Sequence, residues 1–231
     1  MVEAEASEPD RDYGFGVLGP LRVTRAGVPL SLGGRQQRAV LARLLLADGA
    51  GLTVEQLADA LWGEQVPVGA ASTIQTYVFH LRQVLEPDRG RGAPGRIVVT
   101  DNGRYRLAVP PEALDSVVFG RAVDRGERLL ADGVSADAIT EFDRALALWR
   151  GDVLADLADY EFVGPVATRL ADRRKAAVEA KIDAELALGR HASVLGQLNE
   201  LVARDPLNEG LHRQRIIALY RCGRPSDALA A

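Results

Sequence analysis

One cysteine, Cys222, stands among the 231 residues, which excludes an internal disulfide framework. Its place beside Ile217, Leu219 and Tyr220 reads as a buried structural thiol. No run of 18 apolar residues occurs, and the opening MVEAEASEPDRDYG is acidic and polar, lacking the basic start and apolar core of a signal peptide. These absences point to a soluble, cytoplasmic protein with no membrane partner. Enzyme signatures are missing as well: there is no Gly-rich phosphate loop ending in Lys-Ser/Thr, no dinucleotide fingerprint and no HExxH. His80, His191 and His212 are far apart, and none has a Cys or His at ligand spacing, which argues against a structural metal. The acids of 156–161 read as a solvated, irregular connector rather than an acid–base pair, so neither catalysis nor a cofactor is expected.

Lysine is absent from Gly14 to Pro110, where 11 Arg face 7 Asp plus Glu, a net of +4; from Pro111 to Ala231, 16 Lys plus Arg face 20 acids. The first half is the cationic one, which is what a chain facing a polyanion through that half requires. With 47% hydrophobic residues there is material for one or two packed cores.

Alternating segments in 15–32, broken by Gly19-Pro20 and Gly27, predict short strands. A helix is expected over 35–48, then a second beginning at Thr53, whose partner Gln56 completes a capping box and whose far end is Gly63. The loop 64–70 leads to a third helix, and residues 96–110 predict a hairpin with its tip at Asp101-Asn102-Gly103. Beyond Pro110-Pro111 the pattern is helical. Gly189-Arg190 recurs 34 residues on as Gly223-Arg224, and an earlier copy begins at Gly133, which suggests stacked helix pairs. The expected division is a disordered tail over 1–13, a winged helix-turn-helix over 14–110 and an all-α tetratricopeptide-like array over 111–231.

The third helix carries the functional signal. Ile74, Val78, Leu81 and Leu85 form an apolar stripe, whereas Ser72, Gln75, Thr76, Phe79, His80 and Gln83 make an outward face with no carboxylate until Glu86. Acids facing phosphates are repelled, and base edges are read by short hydrogen-bonding side chains and methyl contacts, so this face suits a major groove. Thr76 and His80 are the first candidates for base contacts, with Gln75, Phe79 and Gln83 beside them. Ser72, Thr73, Tyr77 and Arg82 are candidates for gripping phosphate. Tyr77 fits the core equally well, Arg82 fits an i, i+4 pair with Glu86, and Phe79 fits a protein interface. In the hairpin, Arg104 with Asn102 is the candidate for the minor groove or a phosphate, or a solvated turn arginine. Trp62 offers its indole N–H to a phosphate or closes the core, and Arg35, Gln36 and Arg38 open the first helix toward the backbone.

Taken together, GVLGPLRV, GRQQRAVLARLLL, LADALWG, STIQTYVFHLRQVLE and GRYRL resemble the OmpR-like winged helix of the Streptomyces antibiotic regulatory protein family. The segments ALALWRGDVLADL, ALGRH, DPLNE and LHRQRIIALYRCGRPSDALAA resemble the bacterial transcriptional activation domain that follows it there, and DYEFVGPVATRL is particularly like the EmbR branch. The resemblance implies a transcriptional activator that binds direct repeats in double-stranded DNA as a side-by-side homodimer and recruits RNA polymerase holoenzyme, including its sigma factor. It also implies a polymerase contact at Glu64, Gln65, Val66, Pro67 and Val68, and a place on the bacterial nucleoid. A helical adaptor that grips a protein partner, and a repressor using the same DNA contacts, are the alternative readings.

Overall fold

A computed structural model describes residues 12–90 and 92–230; of the expected tail over 1–13, residues 1–11 lie outside the described residues, as do Arg91 and Ala231, while Tyr13 opens a strand and is buried. The chain divides into two compact units. The first runs to Val118 and also takes in Trp149–Leu170; the second comprises Phe119–Leu148 and Ala171–Ala231.

In the first unit, strands β1 (Tyr13–Gly16), β2 (Arg22–Arg25) and β3 (Val28–Pro29) form an antiparallel sheet in that order. Helices α1 (Arg35–Leu45), α2 (Val54–Trp62) and α3 (Ala70–Leu85) follow, and then a hairpin of β4 (Val98–Asp101) and β5 (Arg104–Leu107). Thr53 and Gln56 close the capping box of α2 as the sequence predicts. The hairpin turns on Asn102 and Gly103, both at positive φ (48° and 73°), the conformation that Asn-Gly adopts at little steric cost. Leu52 and Tyr105 exchange two backbone hydrogen bonds of 2.8 Å, which fastens the hairpin to the loop between α1 and α2. Ile74, Val78, Leu81 and Leu85 are buried, each contributing about 1.5–3 kcal/mol, so the stripe on α3 determines which face of that helix is left over.

The connector departs from expectation. Asp152, Asp159 and Glu161 are exposed, but the stretch is anchored: Val153, Leu154, Leu157 and Val163 are buried, with a short 3-10 turn at Ala155–Leu157. The Leu154 N–H reaches the carbonyls of Val17 and Gly19, and the Arg150 N–H reaches that of Leu18. Asp115 accepts from the N–H groups of Val17 and Leu18 and pairs with Arg150. The acids alternate with inward-facing aliphatics, so a segment that reads as polar in composition docks by its apolar face. A division at Pro110-Pro111 therefore does not describe the compact units, because residues 149–170 return to the first.

The second unit contains parts of α4 (Asp115–Ala131) and α6 (Val163–Ala187), with α5 (Ser135–Leu146), α7 (His191–Arg204), α8 (Glu209–Arg221) and α9 (Pro225–Leu229). Gly133, Gly189 and Gly223, the three glycines of the sequence repeat, have φ of 77°, 75° and 74°. After each, the next residue's N–H reaches the carbonyl five residues back, as from Arg190 to Glu185 and from Arg224 to Leu219, the helix ending that a left-handed glycine permits. Ile182, Val194, Leu198, Val202, Leu211 and Ala218 form one core. Cys222 is half-buried rather than buried, because it occupies the C-cap of α8.

Candidate nucleic-acid interface

The carboxylate-free face of α3 is open. Ser72, Gln75, Thr76, Phe79, His80 and Gln83 are exposed, Phe79 at 50%, with its ring against that of His80 at 5.7 Å between centroids. Gly69, at φ 87°, starts the helix, and no acid occupies the first turn. The hydroxyls of Ser72 and Thr73 donate to the Gly69 carbonyl at 2.7 and 3.2 Å, and that of Thr76 to the Ser72 carbonyl at 2.9 Å. With their protons committed, these oxygens offer lone pairs outward, which suits the amino groups of adenine and cytosine; donation to phosphate needs the hydroxyl to rotate.

The hairpin is bracketed to α3 by two side chains. Arg82 donates through Nε to the Val98 carbonyl at 2.8 Å and through Nη2 to Thr100 Oγ1 at 2.7 Å, and its guanidinium lies 5.9 Å from the Tyr105 ring centre. Burial, followed by the charge of Arg89, lowers its proton affinity from the ordinary arginine value. The i, i+4 pair with Glu86 considered from sequence is not what Glu86 makes. Glu86 is 5% exposed, and its carboxylate accepts from the N–H groups of Arg96, Ile97 and Val98 at 2.9, 2.8 and 3.1 Å. Sequence reading missed this anchor. The signal available was an acid at the C-terminal end of a helix, where the dipole disfavours it unless other donors compensate. Gly95 is also part of the bracket, since a Cβ there would sit 2.2 Å from the Val98 oxygen and 2.7 Å from Arg82 Nε. At the tip, Asn102 and Arg104 are exposed; Arg104 donates to the Gly51 carbonyl at 3.2 Å. Arg96 and Arg106 add positive charge along the same hairpin.

The first turn of α1 is engaged from two sides. Gln36 accepts from the Tyr77 hydroxyl at 2.5 Å, so Tyr77 lies between core and surface, half-buried. Arg38 donates to the Leu21 carbonyl at 3.2 Å and pairs with Asp156, which itself accepts from the Leu21 N–H at 2.7 Å. Arg35 donates to Asp159 at 2.5 Å with its guanidinium 5.3 Å from the Tyr160 ring centre. The structure thus places Arg35 and Arg38 on the carboxylates of the connector, a pairing that no local pattern announces. Trp62 is half-buried and lines a cleft of about 880 Å³ with Arg43, Asp59, Glu64, Tyr160 and Phe162. Glu64, Gln65, Val66, Pro67 and Val68 are all exposed, Val68 completely. Among the described residues no group of His, Cys, Asp and Glu is arranged to hold a metal, and no helix is long and apolar enough to cross a membrane.

Comparison with known proteins bears on both segments. Residues 29–107 match the family model described as transcriptional regulatory protein, C terminal, and residues 114–231 match the bacterial transcriptional activator domain. The regulatory protein DnrI of Streptomyces peucetius is 37% identical over 218 residues, 93% of this chain and 80% of its own length. The transcriptional regulatory protein EmbR of Mycobacterium tuberculosis is 38% identical over 229 residues, 99% of this chain but 58% of its own. A solved structure of that EmbR in complex with a low affinity phosphopeptide superposes with a TM-score of 0.88 at 37% identity, covering 95% of this chain and 57% of the other. The chain therefore spans well under two thirds of EmbR.

Proposed function

Because the chain belongs to the Streptomyces antibiotic regulatory protein family of transcriptional regulators, we propose that it is a sequence-specific DNA-binding activator. In this reading it binds direct repeats as a side-by-side homodimer, and it recruits RNA polymerase holoenzyme with its sigma factor through the exposed loop Glu64–Val68. The observation that carries the reading is the outward face of α3: six exposed side chains without a carboxylate, flanked by an arginine-bearing hairpin. The helix enters the major groove, Thr76 and His80 meet base edges, Gln75, Phe79 and Gln83 line the contact, and Phe79 lies against a thymine methyl. Ser72 and Thr73 steady the helix N-terminus on the backbone, and Arg104 with Asn102 reaches the flanking minor groove or its phosphates.

The test is a binding titration of the full chain against its footprinted site and against unrelated duplex, at several salt concentrations. Thr76→Ala and His80→Ala reduce the preference for the true site by about 1–3 kcal/mol each. Arg104→Ala weakens all duplexes similarly and lowers the salt slope by about one. If both α3 variants keep full preference at fixed salt, α3 is not the reading element. Transcription in vitro with and without the protein separates activation from repression.

A further inference from the structure

We propose that Asp159 is an intramolecular competitor of DNA phosphate for Arg35, so that the acidic connector restrains the affinity of the first unit for duplex. This inference rests on the DNA-binding reading above. Arg35 is the first residue of α1; its neighbour Gln36 is hydrogen-bonded to Tyr77, which adjoins Thr76 on α3, and the Tyr160 ring under the guanidinium lies within electrostatic reach of Tyr77. The guanidinium is held on one edge by the Asp159 carboxylate at 2.5 Å and on its face by the Tyr160 ring at 5.3 Å. A carboxylate and a phosphate present the same pair of acceptor oxygens to a guanidinium fork, so one can replace the other at Arg35 without moving the arginine.

The two connector acids differ in what they hold. Asp156 and Arg38 are 22% and 29% exposed at their side chains, and between them they bind both the N–H and the carbonyl of Leu21. That pair is built into the fold. The side chains of Asp159 and Arg35 are 82% and 53% exposed, and among the described residues Asp159 accepts from Arg35 rather than from a backbone N–H as Asp156 does. An ion pair so open to water exchanges partners at small cost. While it is closed, Arg35 and Asp159 present no net charge to an approaching backbone, and the first turn of α1 has no acid of its own to hold the arginine. Asp159 is thus a residue that acts on DNA through Arg35, and removing its charge releases a cation already positioned on Tyr160.

The experiment measures binding of the full chain to a mixed-sequence duplex across a low-salt series. Asp159→Asn tightens binding about two- to five-fold at low salt, the range of an exposed ion pair, and steepens the salt slope by about one. In an Arg35→Ala background the same substitution brings no gain, because the cation it would release is gone. Urea unfolding of each variant, with Asp156→Asn as the destabilised comparison, establishes that Asp159→Asn leaves the fold intact. Unchanged or weaker binding by a folded Asp159→Asn overturns the inference. So does a gain that persists undiminished without Arg35, which is general charge removal. In either case the wild type still binds duplex; a wild type that ignored duplexes at low salt would instead remove the DNA-binding reading itself.

Discussion

Replacing Glu86 by alanine removes the acceptor of three backbone N–H groups at the base of the hairpin. Arg96 is exposed, so its N–H finds water, but Ile97 and Val98 are 7% and 0% exposed, and their donors are stranded. Two orphaned buried donors at about 1–3 kcal/mol each place the loss near 3–5 kcal/mol, once the lost charge-assisted bond to Arg96 is included. Glu86→Gln is the informative partner. Its carbonyl oxygen takes over from Oε1 and keeps Ile97 and Val98 satisfied, while its NH₂ faces the Arg96 N–H; the expected cost is about 1–2 kcal/mol. Trp62 and Trp149, the two tryptophans, both lie in the first unit, so tryptophan fluorescence during urea unfolding reports on that unit. An alanine variant within about 0.5 kcal/mol of wild type, or a glutamine variant as damaged as alanine, refutes the anchor. Under the proposed DNA-binding reading the alanine variant weakens binding to all duplexes by loosening the hairpin, while the ratio between true and unrelated sites, which that reading assigns to α3, is retained.

The second unit has its own tight contact: a Cβ on Gly126 would meet the Phe142 ring at 2.7 to 2.9 Å, so Gly126→Ala destabilises that unit by about 1–3 kcal/mol, read by far-ultraviolet circular dichroism in urea. A neutral effect would mean that α4 and α5 are not in close contact there. Asp115 supplies a pH test. Burial pushes its pKa above the ordinary carboxylate value, against the opposing pull of the Val17 and Leu18 N–H groups and Arg150. A raised folded-state value means that the native chain holds the proton more tightly than the unfolded one. The contribution of Asp115 is therefore complete below the ordinary carboxylate pKa and is lost as pH rises through the folded value. Asp115→Asn, which does not titrate, should gain on wild type over that interval in urea unfolding; the opposite slope would reverse the assignment.

Several features were legible in the sequence because they obey short-range rules. The Thr53–Gln56 box, the Asn102-Gly103 turn, the glycines at 133, 189 and 223 and the stripe Ile74–Val78–Leu81–Leu85 each follow from spacing within a few residues. The candidate reading face followed from the stripe, since burying one side of α3 leaves the other outward. The roles of Arg82 and Glu86 were not legible. Their spacing suggests a pair along the helix, but the hairpin offers each a partner of better fit, a carbonyl for the cation and three N–H groups for the anion.

The sequence by itself determined the first three helices and the hairpin in their order, the helical character of the second half with its repeated helix ends, and the absence of acid from one surface of α3, because these depend on local conformational preference and the periodic placement of apolar side chains. Only the tertiary structure decided that residues 149–170 belong with the first unit, that Asp156 and Asp159 hold Arg38 and Arg35, and that Glu86 secures the hairpin. Those pairings join charges distant along the chain or turn on backbone donors, which every residue but proline carries; their selection is made by the packing that brings them within reach.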